Sequence, residues 1–313
     1  MSATQSSART LFARVPGAAV MLGVLAVAFT IGNPSFASFA NLTNILMQSS
    51  VLLLIALPMT LVIITEGLDL SVGAVLTLAS LAVALVAVGT GFVVLAVLAG
   101  LATGLVCGGV NGWLVSRLGL PPFVATLGTL GIVKSLALVV SGGQSVVGLP
   151  VALLGFYAGR FLGIPAPVIL IFCAYAVIHT LLYHTRFGSY VFALGGNREA
   201  LIFAGVPHRR ILATVYALNG LMAGFAALLL TARLNAGHPT AGIGLEFDAI
   251  AAVAIGGTSF ERGNGWLPGT VLGVLTIGVL RNGLNLIAVP SSLQVGCVGL
   301  LMILAFTIES LKG

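Results

Sequence analysis

The chain has 313 residues, of which 59% are apolar and 6% are charged, and its formal net charge is +6. Soluble domains carry about 25% charged residues, so this composition excludes a water-soluble globular protein. Apolar runs of roughly 20 residues recur from end to end, and each is long enough to cross the bilayer core as a helix. The sequence lacks the alternating ten-residue segments of a membrane barrel, so it predicts an all-α, polytopic transmembrane bundle in a lipid bilayer.

About ten membrane spans are predicted after a cytoplasmic N-terminal tail at residues 1–15, and residues 16–313 form one transmembrane domain. The eighth apolar run is too short to cross the bilayer alone. In chain order the predicted spans cover residues 16–32, 46–65, 70–89, 92–112, 122–140, 166–185, 211–231, 245–257, 266–283 and 293–310.

Basic residues indicate which loops face the cytoplasm, because Lys and Arg concentrate on that side of a membrane. With a cytoplasmic N-terminus, nine basic residues lie inside and three outside, so both termini are predicted to be cytoplasmic. The basic excess therefore indicates topology, and no nucleic-acid partner is predicted. The inner set is Arg9, Arg14, Arg117, Arg186, Arg198, Arg209, Arg210, Arg262 and Lys312, and the outer set is Arg160, Arg233 and Arg281.

The turn between the second and third spans, "TEGLDLSVGAV" at residues 65–75, holds two of the chain's seven acidic residues. Gly67 and Gly73 allow the backbone to turn there. Asp69 and Ser71 can cap the start of the third span. Alternatively, Asp69 faces the path of a solute as a gate or polar contact, and the sequence leaves both roles open.

Glycines recur at intervals of four along the fourth predicted span. Stacked glycines let two membrane helices approach closely, so this face is predicted to pack tightly against a neighbouring helix. The set is Gly100, Gly104, Gly108 and Gly112, and the pair Gly220 and Gly224 repeats the pattern in the seventh span.

A cytoplasmic loop at about residues 186–210 is predicted to carry a short helix. Asn197 can cap its start, and Gly205 with Pro207 can end it. Its body, "REALIFA", presents Leu201 and Phe203 outside the membrane, which invites a protein partner. The alternative is a re-entrant or interfacial loop.

The sequence lacks the common motifs for nucleotide binding, zinc binding and nucleophilic catalysis. It contains no G-x-x-x-x-G-K-[ST] loop for nucleotide phosphates, no H-E-x-x-H zinc motif and no G-x-S-x-G elbow. The three cysteines lie apart in apolar runs, and the four histidines are scattered. We therefore predict no enzyme activity, no metal and no cofactor.

Polar side chains within the spans are few, and such residues usually mark a solute pathway or a paired contact. The acidic residues fall at span ends, which disfavours coupling to an ion gradient and favours an uncharged polar cargo moved by energy supplied elsewhere. The candidate pathway or gate residues are Gln48, Asp69, Asn111, Lys134 and Asn282.

Five blocks in order resemble the permease subunits of bacterial ABC importers for monosaccharides, of the ribose/xylose/galactose type. The blocks are "EGLDLSVGAVLTLAS" (66–80), "NGWLVSRLGLPPFVATLGTL" (111–130), "ALGGNREALIFAGV" (193–206), "EFDAIAAVAIGGTSF" (246–260) and "NGLNLIAV" (282–289). The likeness covers roughly residues 40–310. One departure is Lys134-Ser135, where the family usually has an arginine-glycine pair.

This resemblance implies a multi-pass protein of the bacterial inner membrane with several partners. A periplasmic binding protein delivers the sugar, a second permease subunit (the same chain or a different one) completes the pathway, and cytoplasmic ATP-binding subunits hydrolyse ATP. The family's coupling helix, which docks on the ATPase, corresponds here to Gly195, Gly196, Asn197, Arg198, Glu199, Ala200, Leu201, Phe203 and Gly205.

Two other functions are compatible with the residues alone. One is a stand-alone secondary carrier or channel for a small polar solute. The other is an assembly subunit without a pathway. The sequence does not specify which sugar an importer of this kind would carry.

Overall fold

The computed structural model describes residues 17–261 and 263–310. The predicted tail at residues 1–15, with Arg9 and Arg14, lies outside the described residues, as do Arg262 and Lys312.

The described chain is built almost wholly of α-helices, as predicted, with one small hairpin. Strands β1 and β2 pair antiparallel, with Arg160 opposite Pro165. The helices are α1 (Gly17–Gly32), α2 (Phe39–Ile64), α3 (Val72–Thr90), α4 (Val93–Ser116), α5 (Pro122–Ser141), α6 (Val151–Ala158), α7 (Ala166–Tyr183), α8 (Arg186–Gly196), α9 (Arg198–Phe203), α10 (His208–Leu234), α11 (Leu245–Ile255), α12 (Leu267–Leu286) and α13 (Ser291–Ser310). A 3-10 turn covers Pro34–Ala37, and the strands are Arg160–Phe161 and Ile164–Pro165.

Within the described residues, seven helices are long and apolar enough to cross a membrane, which confirms a polytopic membrane protein. They are α2, α3, α4, α5, α7, α10 and α12. Two further apolar helices, α1 and residues Ser291–Leu304 of α13, are shorter. The eighth predicted span corresponds to α11, which has 11 residues and is too short to cross, as expected.

Helix α2 forms the centre of the bundle. Its side chains from Ser49 to Ile64 are all buried, and they pack against α10, α12, α11 and α7. A helix that is apolar on every face is typical of a membrane span or a protein core, and α2 has both properties. Pro58 lies inside this helix and lacks a backbone N–H, and surrounding helices allow such a break in a membrane protein.

Helices α4 and α10 meet backbone to backbone, as the glycine spacing predicts. A Cβ atom placed on Gly104 would overlap the carbonyl oxygen of Gly220, and one on Gly108 would lie 2.8 Å from the Cα of Gly220. A Cβ on Gly224 would overlap the backbone of α4 at 2.7 Å from the oxygen of Gly100. The glycines are therefore needed for the close approach of these two helices.

The segment between α10 and α11, residues 235–244, folds back into the bundle. Gly237 lies against Ser80 and Leu81 in the middle of α3, whereas Gly242 lies against Gly73 at the start of α3. The backbone N–H of Gly242 donates to the Thr77 hydroxyl at 2.9 Å. Helix α11 therefore begins inside the bundle, which explains why it is only half a span long.

Replacing Gly104 by alanine should destabilise the bundle. The added methyl has no space against Gly220, and overpacking of this kind costs roughly 1–3 kcal/mol. We expect a lower thermal unfolding temperature in detergent, measured by fluorescence-detected size exclusion. Gly109→Ala is the matched control, because a Cβ there meets no atom within 4 Å. Equal stability of the two variants would contradict the close contact.

Candidate functional site

A polar cavity of about 300 Å³ lies between α2, α10, α11, α12 and α13. It is near the end of the bundle at which α2 begins and α10 and α12 end. Its polar lining includes Gln48, Ser49, Asp248, Arg281, Asn285 and Gln294. We call this space the outer cavity, because the predicted topology places that end on the periplasmic side.

An ion pair joins two of the helices that form the outer cavity. A guanidinium nitrogen of Arg281 on α12 donates to the carboxylate of Asp248 at 2.6 Å. Asp248 is in the first turn of α11, where the helix dipole favours a negative charge. Its side chain is 7% exposed and that of Arg281 is 38% exposed. Arg281, predicted at the outside, therefore lies in a helix beside the cavity.

Two polar atoms at the outer cavity have no partner in the described part of the chain. They are the hydroxyl oxygen of Ser49 and the Nε of Arg281, and both atoms are buried. In contrast, Gln294 donates to the side chain of Asn285 at 2.7 Å and to the Val289 carbonyl at 2.9 Å. The cavity therefore combines prearranged polar groups with unused hydrogen-bonding capacity.

The Asp69 carboxylate lies at the opposite end, in a buried network that joins three helices. One of its oxygens accepts from the backbone N–H and the hydroxyl of Ser71, at 2.9 and 2.6 Å. The other accepts from Asn219 on α10 at 2.8 Å. Asn111 on α4 donates to the Ser71 hydroxyl at 2.8 Å. The network therefore ties the turn before α3 to both α4 and α10.

Asp69 is fully enclosed by this network. Burial raises the pKa of its carboxyl, and the hydrogen bonds from Ser71 and Asn219 lower it in part. Ser71 precedes α3 but makes no side-chain capping bond, so the expected joint cap is wrong. Asp69 instead bends the turn through its bonds to Ser71 and holds α10 through Asn219.

Helix α9 is the predicted short cytoplasmic helix. The Asn197 side chain caps it by accepting from the N–H of Ala200 at 2.9 Å, and Gly205 takes the left-handed conformation that ends it, with φ of 72°. Phe203 is 89% exposed, whereas Leu201 is 6% exposed. The expectation that Leu201 is exposed is therefore wrong, because this side chain packs into the bundle.

Gly195, at the end of α8, holds this region against the membrane helices. A Cβ there would overlap the carbonyl oxygen of Ile64, the last residue of α2, and would lie 2.8 Å from the Cα of Gly263. Gly196 next to it has open space. The end of α8, directly before α9, therefore contacts the end of the central helix backbone to backbone.

The five predicted pathway residues do not meet in one place. Gln48 lies at the outer cavity, and Asp69 and Asn111 share the buried network. Lys134 is exposed on α5 and lies with Glu246 beside a cavity of about 40 Å³. Asn282 exchanges two hydrogen bonds with Asn41 on α2, at 2.8 and 3.0 Å.

Sequence reasoning missed the Asp248–Arg281 pair and the unpartnered Ser49. The sequence does show two opposite charges in neighbouring apolar runs. It does not show that they pair, because they are 33 positions apart and meet only when α11 and α12 pack together. Within the described residues, no group of three or more His, Cys, Asp or Glu side chains is placed to hold a metal.

The helical bundle is that of a polytopic membrane protein, and comparison with known proteins specifies its class. Residues 41–306 match the family described as branched-chain amino acid transport system / permease component. The ribose import permease of Bacillus subtilis (strain 168) is 41% identical, over 93% of this chain and 91% of the relative. The D-allose transport system permease of Escherichia coli (strain K12) is 37% identical, over 94% and 91%.

The fructose import permease of Rhizobium meliloti is 34% identical, over 95% of this chain and 85% of the relative. No solved structure matches the chain. The chain belongs to this family of transport-system permease components. It is the multi-pass inner-membrane subunit of an ABC import system, whose ATP is hydrolysed by a separate subunit, and the comparisons give no support to the secondary carrier.

Removal of the Asp69 carboxylate should destabilise the bundle, whereas removal of its charge alone should not. Asp69→Ala leaves Asn219 and Ser71 without an acceptor, at roughly 1–3 kcal/mol for each buried group. Asp69→Asn retains an acceptor for Ser71, and a rotated Asn219 can accept from the new amide. We expect Asp69→Ala alone to unfold at lower temperature in detergent.

Glu66→Gln is the control, because Glu66 is exposed in the same turn. If Asp69→Asn were as unstable as Asp69→Ala, the negative charge itself would stabilise the network and this interpretation would be wrong.

Proposed function

We propose that the chain translocates a monosaccharide delivered by a periplasmic binding protein. The observation that carries the proposal is that relatives named for ribose, allose and fructose import all align over most of their length. These three sugars differ in size and stereochemistry, but all are uncharged monosaccharides with several hydroxyl groups. The shared chemistry therefore specifies the class of cargo and leaves the individual sugar open.

The proposed topology has about ten spans with both termini in the cytoplasm. The basic loops support it, because Arg117, Arg186 and Arg209 all follow or precede helix ends on the side where α2 ends. In this arrangement α9 faces the cytoplasm and the outer cavity faces the periplasm. Helices α1 and α13, and α11 together with the segment 235–244 that leads into it, then supply the remaining three spans.

Helix α9 with its flanking residues, Gly195 to Gly205, is the proposed contact for the ATP-binding subunit. An exposed aromatic side chain on a helix outside the membrane is typical of a docking anchor, and Phe203 has this position. Because α9 leads directly into α10, movement of the ATPase would act on the helix that contacts both Asp69 and the outer cavity.

The pathway residues take separate roles in this proposal. Gln48 contacts the sugar at the outer cavity, whereas Lys134 lines another part of the pathway, beside a cavity too small to hold a sugar. Asp69 and Asn111 form the polar contact at the cytoplasmic end that changes between inward and outward states, and Asn282 holds α12 against α2. A second permease subunit, identical or related, completes the pathway.

Reconstitution tests the proposed transport directly. The chain in proteoliposomes with its ATP-binding subunit and binding protein should take up radiolabelled ribose, allose or fructose only when ATP is present. The chain alone should show no uptake, because it has no nucleotide-binding motif. Uptake by the chain alone under a proton or sodium gradient would show that it is a secondary carrier.

If α9 docks on the ATP-binding subunit, charge substitutions at Phe203 and at Leu162 should have different effects on the complex. Phe203→Glu should abolish co-purification of the ATP-binding subunit while leaving membrane insertion intact, because the side chain is exposed and its loss does not open the bundle. Leu162→Glu, equally exposed on the hairpin at the other end, is the matched control and should leave the complex intact. Retained co-purification of Phe203→Glu would place the docking contact elsewhere.

A further inference from the structure

We infer that the outer cavity is a binding site for one neutral monosaccharide within the permease subunit itself. The inference rests on the proposed sugar transport and adds a specific site to it. The five helices that line the cavity belong to one chain, so this chain supplies the polar groups described below. Its volume of about 300 Å³ is at the lower end of the range for small-molecule pockets.

The lining suits a ligand that both donates and accepts hydrogen bonds. Asp248 offers carboxylate oxygens, Arg281 offers guanidinium N–H groups, and Gln48 and Asn285 add amides. Each sugar hydroxyl can donate one hydrogen bond and accept two, so it can satisfy either type of group. A purely apolar ligand would leave the remaining hydrogen-bonding capacity of these groups unused.

The unpartnered Ser49 hydroxyl points to a ligand independently of the lining. Ser49 is 2% exposed, borders the outer cavity, and has no hydrogen-bond partner among the described residues. Leaving a buried hydroxyl unpaired costs free energy, so such groups in native proteins usually have a partner. The oxygen lies beside the backbone of Gly278, so a sugar hydroxyl in the cavity would supply that partner once the Ser49 side chain rotates towards it.

Charge decides between a neutral and an anionic ligand. The positive charge of Arg281 is already paired with Asp248 at 2.6 Å, so it is not free to attract an anion. Arg233 also borders the cavity, but it is exposed at the end of α10 and close to solvent. The same ion pair compensates the charge of Asp248, so the cavity presents no uncompensated buried charge to a ligand and favours an uncharged sugar.

Cysteine protection on the full chain in lipid nanodiscs tests the site. After replacement of Cys107, Cys173 and Cys297 by serine, Gln48→Cys is labelled with a membrane-impermeant thiol reagent over a titration of D-ribose. Labelling should slow about tenfold at a sugar concentration roughly ten times its dissociation constant. Leu162→Cys, exposed on the hairpin, should label at a constant rate. Absence of protection by ribose, allose and fructose would overturn the inference.

The Ser49→Ala variant tests whether Ser49 contacts the sugar or has only a structural role. Loss of one hydrogen bond should raise the ribose concentration for half protection about fivefold, whereas thermal stability should stay equal or rise because an unpaired polar group is removed. Ser50→Ala is the matched control, since Ser50 is buried on the same helix but donates to the Met47 carbonyl at 2.6 Å and does not border the cavity. Unchanged protection in Ser49→Ala would exclude the Ser49 contact.

Three further outcomes test the ligand class and separate failure of the binding site from failure of the transport function. Equal or stronger protection by the anion D-gluconate would overturn the choice of a neutral ligand. ATP-dependent sugar uptake by the reconstituted importer without any protection at Gln48→Cys would disprove the site while leaving the transport function intact. If the complete, unmodified importer showed no ATP-dependent sugar uptake, the transport function itself would be disproved.

Discussion

The backbone contact between α4 and α10 is the constraint on which the rest of the structure depends. Helices in a membrane gain little by burying apolar surface from one another, so close packing at glycines has to hold them together. Gly104 and Gly220 bring the two backbones together, and Asn111 and Asn219 on the same helices then reach the Asp69 turn. Without this approach the buried carboxylate would lose its enclosing network.

Helix α10 connects the functional parts of the molecule in one element. It begins just after α9, contacts Asp69 through Asn219 near its middle, and ends beside the outer cavity at Arg233. A rigid helix of 27 residues can carry a displacement from one end to the other. In the proposed topology, this arrangement would give a physical route from the ATP-binding subunit to the proposed sugar site, as alternating access requires.

Most buried polar side chains in the described bundle have hydrogen-bond partners, and six buried side-chain atoms do not. The reciprocal Asn41–Asn282 amides and the Thr60–Thr270 hydroxyls bridge helices with their partners satisfied. Such pairs select one helix arrangement, because any other would leave amides unpaired in an apolar surrounding. The unpaired Ser49, in contrast, borders a cavity, which is where a ligand can complete the bonding.

The sequence by itself determined the fold class, the positions of the seven full-length spans, the glycine contact face and the capped helix α9. These features follow from local properties, namely apolar length, residue spacing and cap chemistry, which act within one segment. The tertiary structure decided that Leu201 is buried, that Asp248 meets Arg281, and that α11 begins inside the bundle. Each depends on which helices become neighbours, and residues far apart in the chain meet only after the helices pack.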